Sequence, residues 1–237
     1  MKRKYLSIIF LVLVCLASIL SSGRSVKVMK NIFHSQAPKD EKKQYVVVID
    51  AGHGGRDPGK IGIGNIVEKD INLSIAIRLK SLLEQNDIKV VMTREDDAGL
   101  YSNSDSNKKK ADLNKRIEIV KSSTPDLVVS IHQNSYPEEY VKGAQTFYYK
   151  DSDKAKQLAE VIQDQLKQTI GDGNHRQAKP NGSYYLLKNT DCTMVIVECG
   201  YLTNNIEAKL LTTEDYQEKM AWGIHLGIIR FLNEENK

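Results

Sequence analysis

Tyr45-Val46-Val47-Val48-Ile49 runs straight into Asp50-Ala51-Gly52-His53-Gly54-Gly55-Arg56-Asp57-Pro58-Gly59. An unbroken β-branched run is the signature of a strand buried on both faces. The polar, glycine-rich continuation then starts at the C-terminal end of that strand. The same pattern returns twice: Leu127-Val128-Val129-Ser130-Ile131 leads into His132-Gln133-Asn134-Ser135, and Met194-Val195-Ile196-Val197 into Glu198-Cys199-Gly200-Tyr201. Ile88–Thr93 and Ala144–Tyr149 read as further strands. Helical spacing appears in Ile71, Ile75, Leu79, Leu82 and Leu83, with Asp70 suited to the helix N-terminus. It recurs in Leu113, Ile117 and Val120, in Leu158, Val161, Ile162 and Leu166, and from about Glu214 to Leu232 through Met220, Ile224, Leu226 and Ile229. Residues 96–110, acidic, then Ser/Asn-rich, then Lys108-Lys109-Lys110, read as an exposed loop. Strands alternating with helices predict an α/β fold with a mainly parallel sheet covered on both faces.

The 237 residues are 41% hydrophobic and 27% charged, with 15 Gly and 5 Pro, which excludes a disordered, collagenous or polytopic membrane chain. There is no internal repeat. Nine of the 34 basic and two of the 30 acidic residues fall in 1–44, which leaves 25 basic against 28 acidic in the remainder, a net −3. A mildly acidic folded part argues against a nucleic-acid partner. At the N-terminus, Lys2-Arg3-Lys4 precedes the uncharged stretch Leu6–Leu20 and then Ser21-Ser22-Gly23, the layout of a secretory signal. Residues 1–23 are expected to be a signal peptide or, if uncleaved, an N-terminal anchor, since the apolar stretch lies just short of the ~17–25 residues that span a bilayer. Val14 before Cys15 is not the small residue expected of a lipidation site. Residues 24–44 read as a linker and 45–237 as one folded domain. Cys192 and Cys199 flank an extended segment and are expected not to pair, because a disulfide needs Cα atoms about 4.4–6.8 Å apart.

Ligands in open α/β sheets gather at the C-terminal ends of strands, where the polar groups collect here. Two histidines and a carboxylate, His53, Glu68 and His132, are the donor types of a catalytic zinc with an open position. Glu68 precedes the first long helix, where a loop can swing it back to the same edge. Their wide spacing fits no short zinc motif, so a helix-capping glutamate and two hydrogen-bonded histidines remain the competing reading. The His53-Gly54-Gly55 run lacks both the dinucleotide spacing and the phosphate-loop lysine. Glu198, closing a strand as apolar as Met-Val-Ile-Val, reads either as a salt-bridged strand end or as the base of a metallohydrolase. Such a base takes a proton from the attacking water and later hands it to the leaving amine.

VVVIDAGHGGRDPG (46–59), Glu68 fifteen residues after His53, TREDD (93–97), LVVSIHQNS (127–135) and VIVECGYLTN (195–204) together resemble the zinc-dependent N-acetylmuramoyl-L-alanine amidases of the Amidase_3 type, over residues 45–234. The resemblance implies a three-layer α/β sandwich around a twisted, mostly parallel sheet. It implies one Zn2+ on His53, Glu68 and His132, Glu198 as the catalytic carboxylate, and cleavage of the amide between the lactyl group of N-acetylmuramic acid and L-Ala of the stem peptide. Asp50 or Asn134 would hold the histidine tautomers. Arg94 and Arg116 would bind stem-peptide carboxylates or form structural ion pairs, and Asn134 is a further candidate for substrate. Arg176 and Lys179, in a Gly/Asn-rich loop, are also candidates for the stem peptide.

Gln133 and Tyr201 depart from the small residue and the Phe usual at these positions, without removing a chemical group. The 66 residues from His132 to Glu198 leave little room for an inserted autoinhibitory helix. A bare catalytic domain behind a signal or anchor is most like the sporulation and germination amidases of spore formers, which act with a peptidoglycan deacetylase to form muramic-δ-lactam in cortex. An envelope activator protein is a further expected partner. The competing readings are a general autolysin with the same chemistry, a non-catalytic wall-binding protein, and a zinc carboxypeptidase.

Overall fold

The computed structural model describes residues 43–235, so the leader and nearly all of the linker expected over 1–44 lie outside the described residues. Strands β1 (Val46–Ala51), β2 (Lys89–Met92), β3 (Leu127–Asn134), β4 (Gln145–Tyr149), β5 (Lys179–Asn181) and β6 (Met194–Tyr201) form one sheet in the order β2-β1-β3-β6-β4-β5. β2, β1, β3 and β6 run parallel; β4 is antiparallel to β6 and parallel to β5. The sheet is therefore mixed, with the expected parallel part running from the β2 edge to β6.

Strand alternation divides the core into two layers. Val47, Ile49 and Ala51 of β1, Leu127, Val129 and Ile131 of β3, and Val195, Val197 and Cys199 of β6 point to one face. There they meet α1 (Glu68–Glu84), α3 (Asp153–Ile170) and α6 (Glu214–Glu234) through Ile71, Ile75 and Leu79, Leu158 and Ile162, and Met220 and Ile224. Each such side chain, fully buried, contributes about 1.5–3 kcal/mol of transfer free energy. The opposite face carries Val48, Val128, Met194, Ile196 and Phe147, covered by Val120 of α2 (Lys108–Ser123) and by Leu186 and Leu187 of the short α4 (Tyr185–Asn189). This second layer is thinner in apolar residues, and at the C-terminal ends of β1, β3 and β6 it gives way to buried polar groups, among them Asp50, Ser130 and Arg116.

Several elements depart from the sequence reading. Lys108–Lys110 form the first turn of α2, not the end of a loop, and the Asn107 side chain accepts from Lys110 N to cap it. β6 runs on to Tyr201, so Glu198 lies inside the strand. Lys179 belongs to β5, an edge strand, where a residue such as Pro180 is tolerated, not to a loop. α5 (Asn205–Leu211) is capped by Asn204, which accepts from Ile206 N and Glu207 N. Cys192 and Cys199 are both free thiols. No helix among the described residues is long and apolar enough to cross a membrane.

Candidate metal centre and active site

Asp50, Ser130 and Glu198 alternate with core residues and so face the thinner layer, where all three are buried at the C-terminal ends of their strands. His53 leaves β1 with φ 63°, a left-handed conformation costly for a residue with a side chain. Two arginines hold it there. Arg94 donates from Nε to Ala51 O at 2.9 Å and from Nη2 to Gly52 O at 3.0 Å. Arg116 donates to Ala51 O at 2.8 Å and to His53 O. Arg116 is 1% exposed, and Asp50 at 2.6 Å and Asp112 at 2.6 Å neutralise it. Burial pushes the Asp50 carboxyl up, but Arg116 and the Ser130 hydroxyl outweigh this and bring it down to about 2. Both guanidinium groups are thus committed to the protein's own main chain and carboxylates. Of the two roles expected for Arg94 and Arg116, the structural one matches these bonds.

Glu68 is the first residue of α1. The segment before it folds back on itself, with Gly62 N bonded to Ile66 O at 2.8 Å and Glu68 N to Lys60 O at 3.0 Å, which brings the carboxylate to the strand ends. Its Oε1 lies 3.2 Å from His53 Nε2 and 3.0 Å from His132 Nδ1, and the three ligand atoms lie within 4.8 Å of one another. Oε1 also accepts from Gln133 N at 3.0 Å and Asn72 Nδ2 at 3.3 Å, and Oε2 accepts from Lys60 N at 2.7 Å. Burial alone would raise this carboxyl, yet the hydrogen bonds and charges of the two histidines hold it well below the usual range. His132 is displaced the other way: burial lowers its pKa, and Glu68 more than reverses that. Gly52 and Gly59 are required by proximity. A Cβ on Gly52 would overlap the His132 ring, and one on Gly59, at φ 69°, would lie 2.5 Å from Glu68 Oε2.

The donor set fits a zinc ion. A tetrahedral zinc with bonds of ~2.0–2.1 Å places its ligand atoms about 3.3 Å apart, close to the two separations made by Glu68. The histidine orienter is Asp57, which the sequence reading missed in favour of Asp50 or Asn134. Asp57 Oδ2 lies 3.0 Å from His53 Nδ1, leaving Nε2 for the cluster. Gly54 and Asp57 exchange main-chain bonds of 3.0 and 3.2 Å, so the glycine turn returns residue 57 over residue 53. Asn72, one turn beyond Glu68 on α1, was also missed; it donates to Gly52 O at 3.1 Å and accepts from Gln133 Nε2 at 3.1 Å. Asp50 serves Arg116 instead. Asn134 turns its Oδ1 back to Ser135 N at 2.8 Å.

Glu198 pairs in register with His132 across β3 and β6 and is 7% exposed. Its Oε1 accepts from the Tyr184 hydroxyl at 3.3 Å, whereas Oε2 is buried without a partner. Burial raises its pKa; His132 pulls it down and Glu68 pushes it up, leaving it above the ordinary value. An unpartnered carboxylate oxygen beside a metal-type cluster is equipped to accept a proton. Arg176 and Lys179 are not part of this cluster. Arg176 donates to Lys142 O at 2.7 Å and lies 4.8 Å over the Tyr201 ring, and Lys179 is exposed on β5. Glu207 braces the same region, accepting from Gly143 N and Tyr201 N at 2.8 Å each.

A protein 36% identical over 193 residues, covering 80% of this chain and 81% of its own length, is the germination-specific N-acetylmuramoyl-L-alanine amidase of Bacillus subtilis (strain 168). The structure of the CwlD amidase from Clostridioides difficile, in complex with the GerS lipoprotein, superposes with a TM-score of 0.79 at 42% identity, over 81% of this chain and all of that one. The catalytic domain of CwlV, an N-acetylmuramoyl-L-alanine amidase from Bacillus (Paenibacillus) polymyxa var. colistinus, gives a TM-score of 0.70 at 32% identity, over 80% of this chain and 99% of that one. The Amidase_3 profile, described as N-acetylmuramoyl-L-alanine amidase, matches residues 47–230, from the first strand to the last helix. With fold, strand-end residues and profile in agreement, the chain belongs to the Amidase_3 family of N-acetylmuramoyl-L-alanine amidases.

Proposed function

We propose that His53, Glu68 and His132 hold one Zn2+ and that Glu198 moves the proton in hydrolysis of the amide joining N-acetylmuramic acid to the L-Ala of peptidoglycan stem peptides. The observation that carries this reading is the convergence of three donors on one point beside a buried carboxylate oxygen with no partner of its own. When bound, the ion polarises the scissile carbonyl and lowers the pKa of water toward ~7. Asp57 holds the His53 ring, Asn72 and Gln133 fix the Glu68 carboxylate, and Arg94 and Arg116 fix the main chain under His53. Glu198 Oε2 accepts the proton of the attacking water. The same oxygen then returns it to the departing L-Ala nitrogen as the C–N bond breaks.

The biological setting proposed is the envelope of a spore former, the chain being exported by its N-terminal segment. Its substrate there is cortex peptidoglycan, where a deacetylase acting on the bared muramic acid completes muramic-δ-lactam. The likeness to a germination-specific amidase supports this setting. A lipoprotein-type envelope partner is proposed on the likeness to CwlD, whose structure is a complex with GerS. Arg176 and Lys179 are proposed to meet the stem peptide at the rim. Mass spectrometry of digested cortex and vegetative peptidoglycan tests the reading. Free stem peptides beginning with L-Ala are expected, from cortex above all; loss of only a terminal D-residue would overturn it.

A further inference from the structure

We infer that Tyr184 is a positioning residue for Glu198: its phenol occupies one carboxylate oxygen and thereby assigns proton transfer to the other. The inference rests on Glu198 being the proton-transfer group. Four observations lead to it. The Tyr184 hydroxyl donates to Glu198 Oε1 at 3.3 Å. Oε2 of the same carboxylate is buried and has no hydrogen-bond partner. A buried acceptor without a donor costs roughly 1–3 kcal/mol, so it persists where a function needs it free. The ring of Tyr184 is fixed from several sides. It packs edge-on against Phe147, centroids 5.5 Å apart at 80°, while its main-chain N–H donates to Asn181 Oδ1 at 3.0 Å and its carbonyl accepts from Lys188 N at 3.0 Å. Antiparallel pairing of β4 with β6 sets Gln145 opposite Glu198 and Phe147 opposite Ile196. The aromatic support for Tyr184 therefore stands on the strand next to the carboxylate it serves.

A carboxylate has two equivalent oxygens and a free torsion, and a base that can rotate loses alignment with the proton it must take. The phenol removes that equivalence. With Oε1 holding the Tyr184 proton, rotation of the carboxylate by half a turn would exchange the oxygens but keep one tied and one free. Small excursions, which would swing both oxygens off line, break the Tyr184 bond. The water proton goes to Oε2, the neutral acid keeps Oε1 as acceptor for Tyr184, and Oε2–H returns the proton to the amine.

Tyr184→Phe in the full chain isolates the effect, since it keeps the ring against Phe147 and deletes only the hydroxyl. The zinc-loaded variant is assayed on muramoyl peptides beside wild type, Glu198→Gln and the double variant, with zinc content and thermal unfolding measured on each. The expected result is a fall in kcat of about tenfold with KM unchanged, in line with the loss of one hydrogen bond to a charged group. Zinc content should stay at wild-type level. In the Glu198→Gln background, followed over long incubations, Tyr184→Phe should have no further effect, because both changes act on one step. Full kcat in Tyr184→Phe, an equal loss in both backgrounds, or loss of zinc overturns the inference. Unimpaired turnover by Glu198→Gln would instead remove the reading on which it rests.

Discussion

Replacing each glutamate by glutamine tests the proposed division between metal binding and proton transfer, and the hydrogen bonds say how each amide must sit. At position 68, Oε2 accepts from Lys60 N at 2.7 Å and Oε1 from Gln133 N at 3.0 Å, with both histidines converging on Oε1. A glutamine must turn its NH2 toward one of these. Facing Lys60 it sets donor against donor; facing the cluster it removes the ligand atom. Leaving a buried donor unmet costs about 1–3 kcal/mol, a factor of roughly 5–150 in affinity, and the lost anionic charge adds to it. Glu68→Gln should therefore bind zinc at least about 100-fold more weakly. At position 198 the Tyr184 hydroxyl selects the amide carbonyl at Oε1, so NH2 replaces the free Oε2. Turnover should fall by about 10²–10⁴ with zinc retained. Elemental analysis after dialysis against a graded chelator, together with release of L-Ala amines, reads both quantities on the same samples. If Glu198→Gln loses zinc while Glu68→Gln keeps it at wild-type affinity, the roles are exchanged and the reasoning fails.

Asp57→Ala should lower zinc affinity by about 10–100-fold and release the tautomer of His53, seen in the nitrogen shifts of the metal-free protein; unchanged shifts would contradict the Asp57–His53 bond at 3.0 Å. Gly52→Ala should displace the His132 ring and abolish zinc binding while leaving a folded protein by circular dichroism, since the atoms nearest the new Cβ all belong to that ring. The Asp50 carboxyl sits at about 2 against an ordinary 3.8, so its contribution is present above pH ~4 and is lost as pH falls toward 2. The size is about 2 kcal/mol, and denaturant unfolding of Asp50→Asn should lack that part of the acid limb.

What the sequence made legible follows from how each signal is encoded. The central strands and long helices are written in apolar periodicity, and His53, His132 and Glu198 stand out because polar residues end or interrupt buried β-branched runs. Glu68 carried no such contrast; a loop that folds back can be recognised by resemblance but not by period. Asp57 escaped because its approach to His53 depends on the turn at Gly54 and Gly55, with φ of 136° and 58°. Asn72 had a readable signal, four residues after Glu68 on one helical face. Tyr184 had none, since it follows the short β5 and meets Glu198 only because β4 alone separates β5 from β6. Lys108–Lys110 hid a helix start, because positive charge is unfavourable at a helix N-terminus. The three residues of β5 and the five of α4 are too short to show a period.

The arginine clamp bears on the order of events in the life of the chain. Ala51, Gly52 and His53 have their carbonyls satisfied by Arg94 and Arg116, groups that exist whether or not an ion is bound. A small zinc-finger module has no such internal support, and there the metal supplies the folding free energy outright. With the arginine bonds in place of metal bonds, the proposed zinc would bind as a ligand to a scaffold supported without it, adding RT ln(1 + [Zn]/Kd) to the stability. On the proposed zinc chemistry, synthesis and loading would be uncoupled, and turnover would follow the free zinc around the protein.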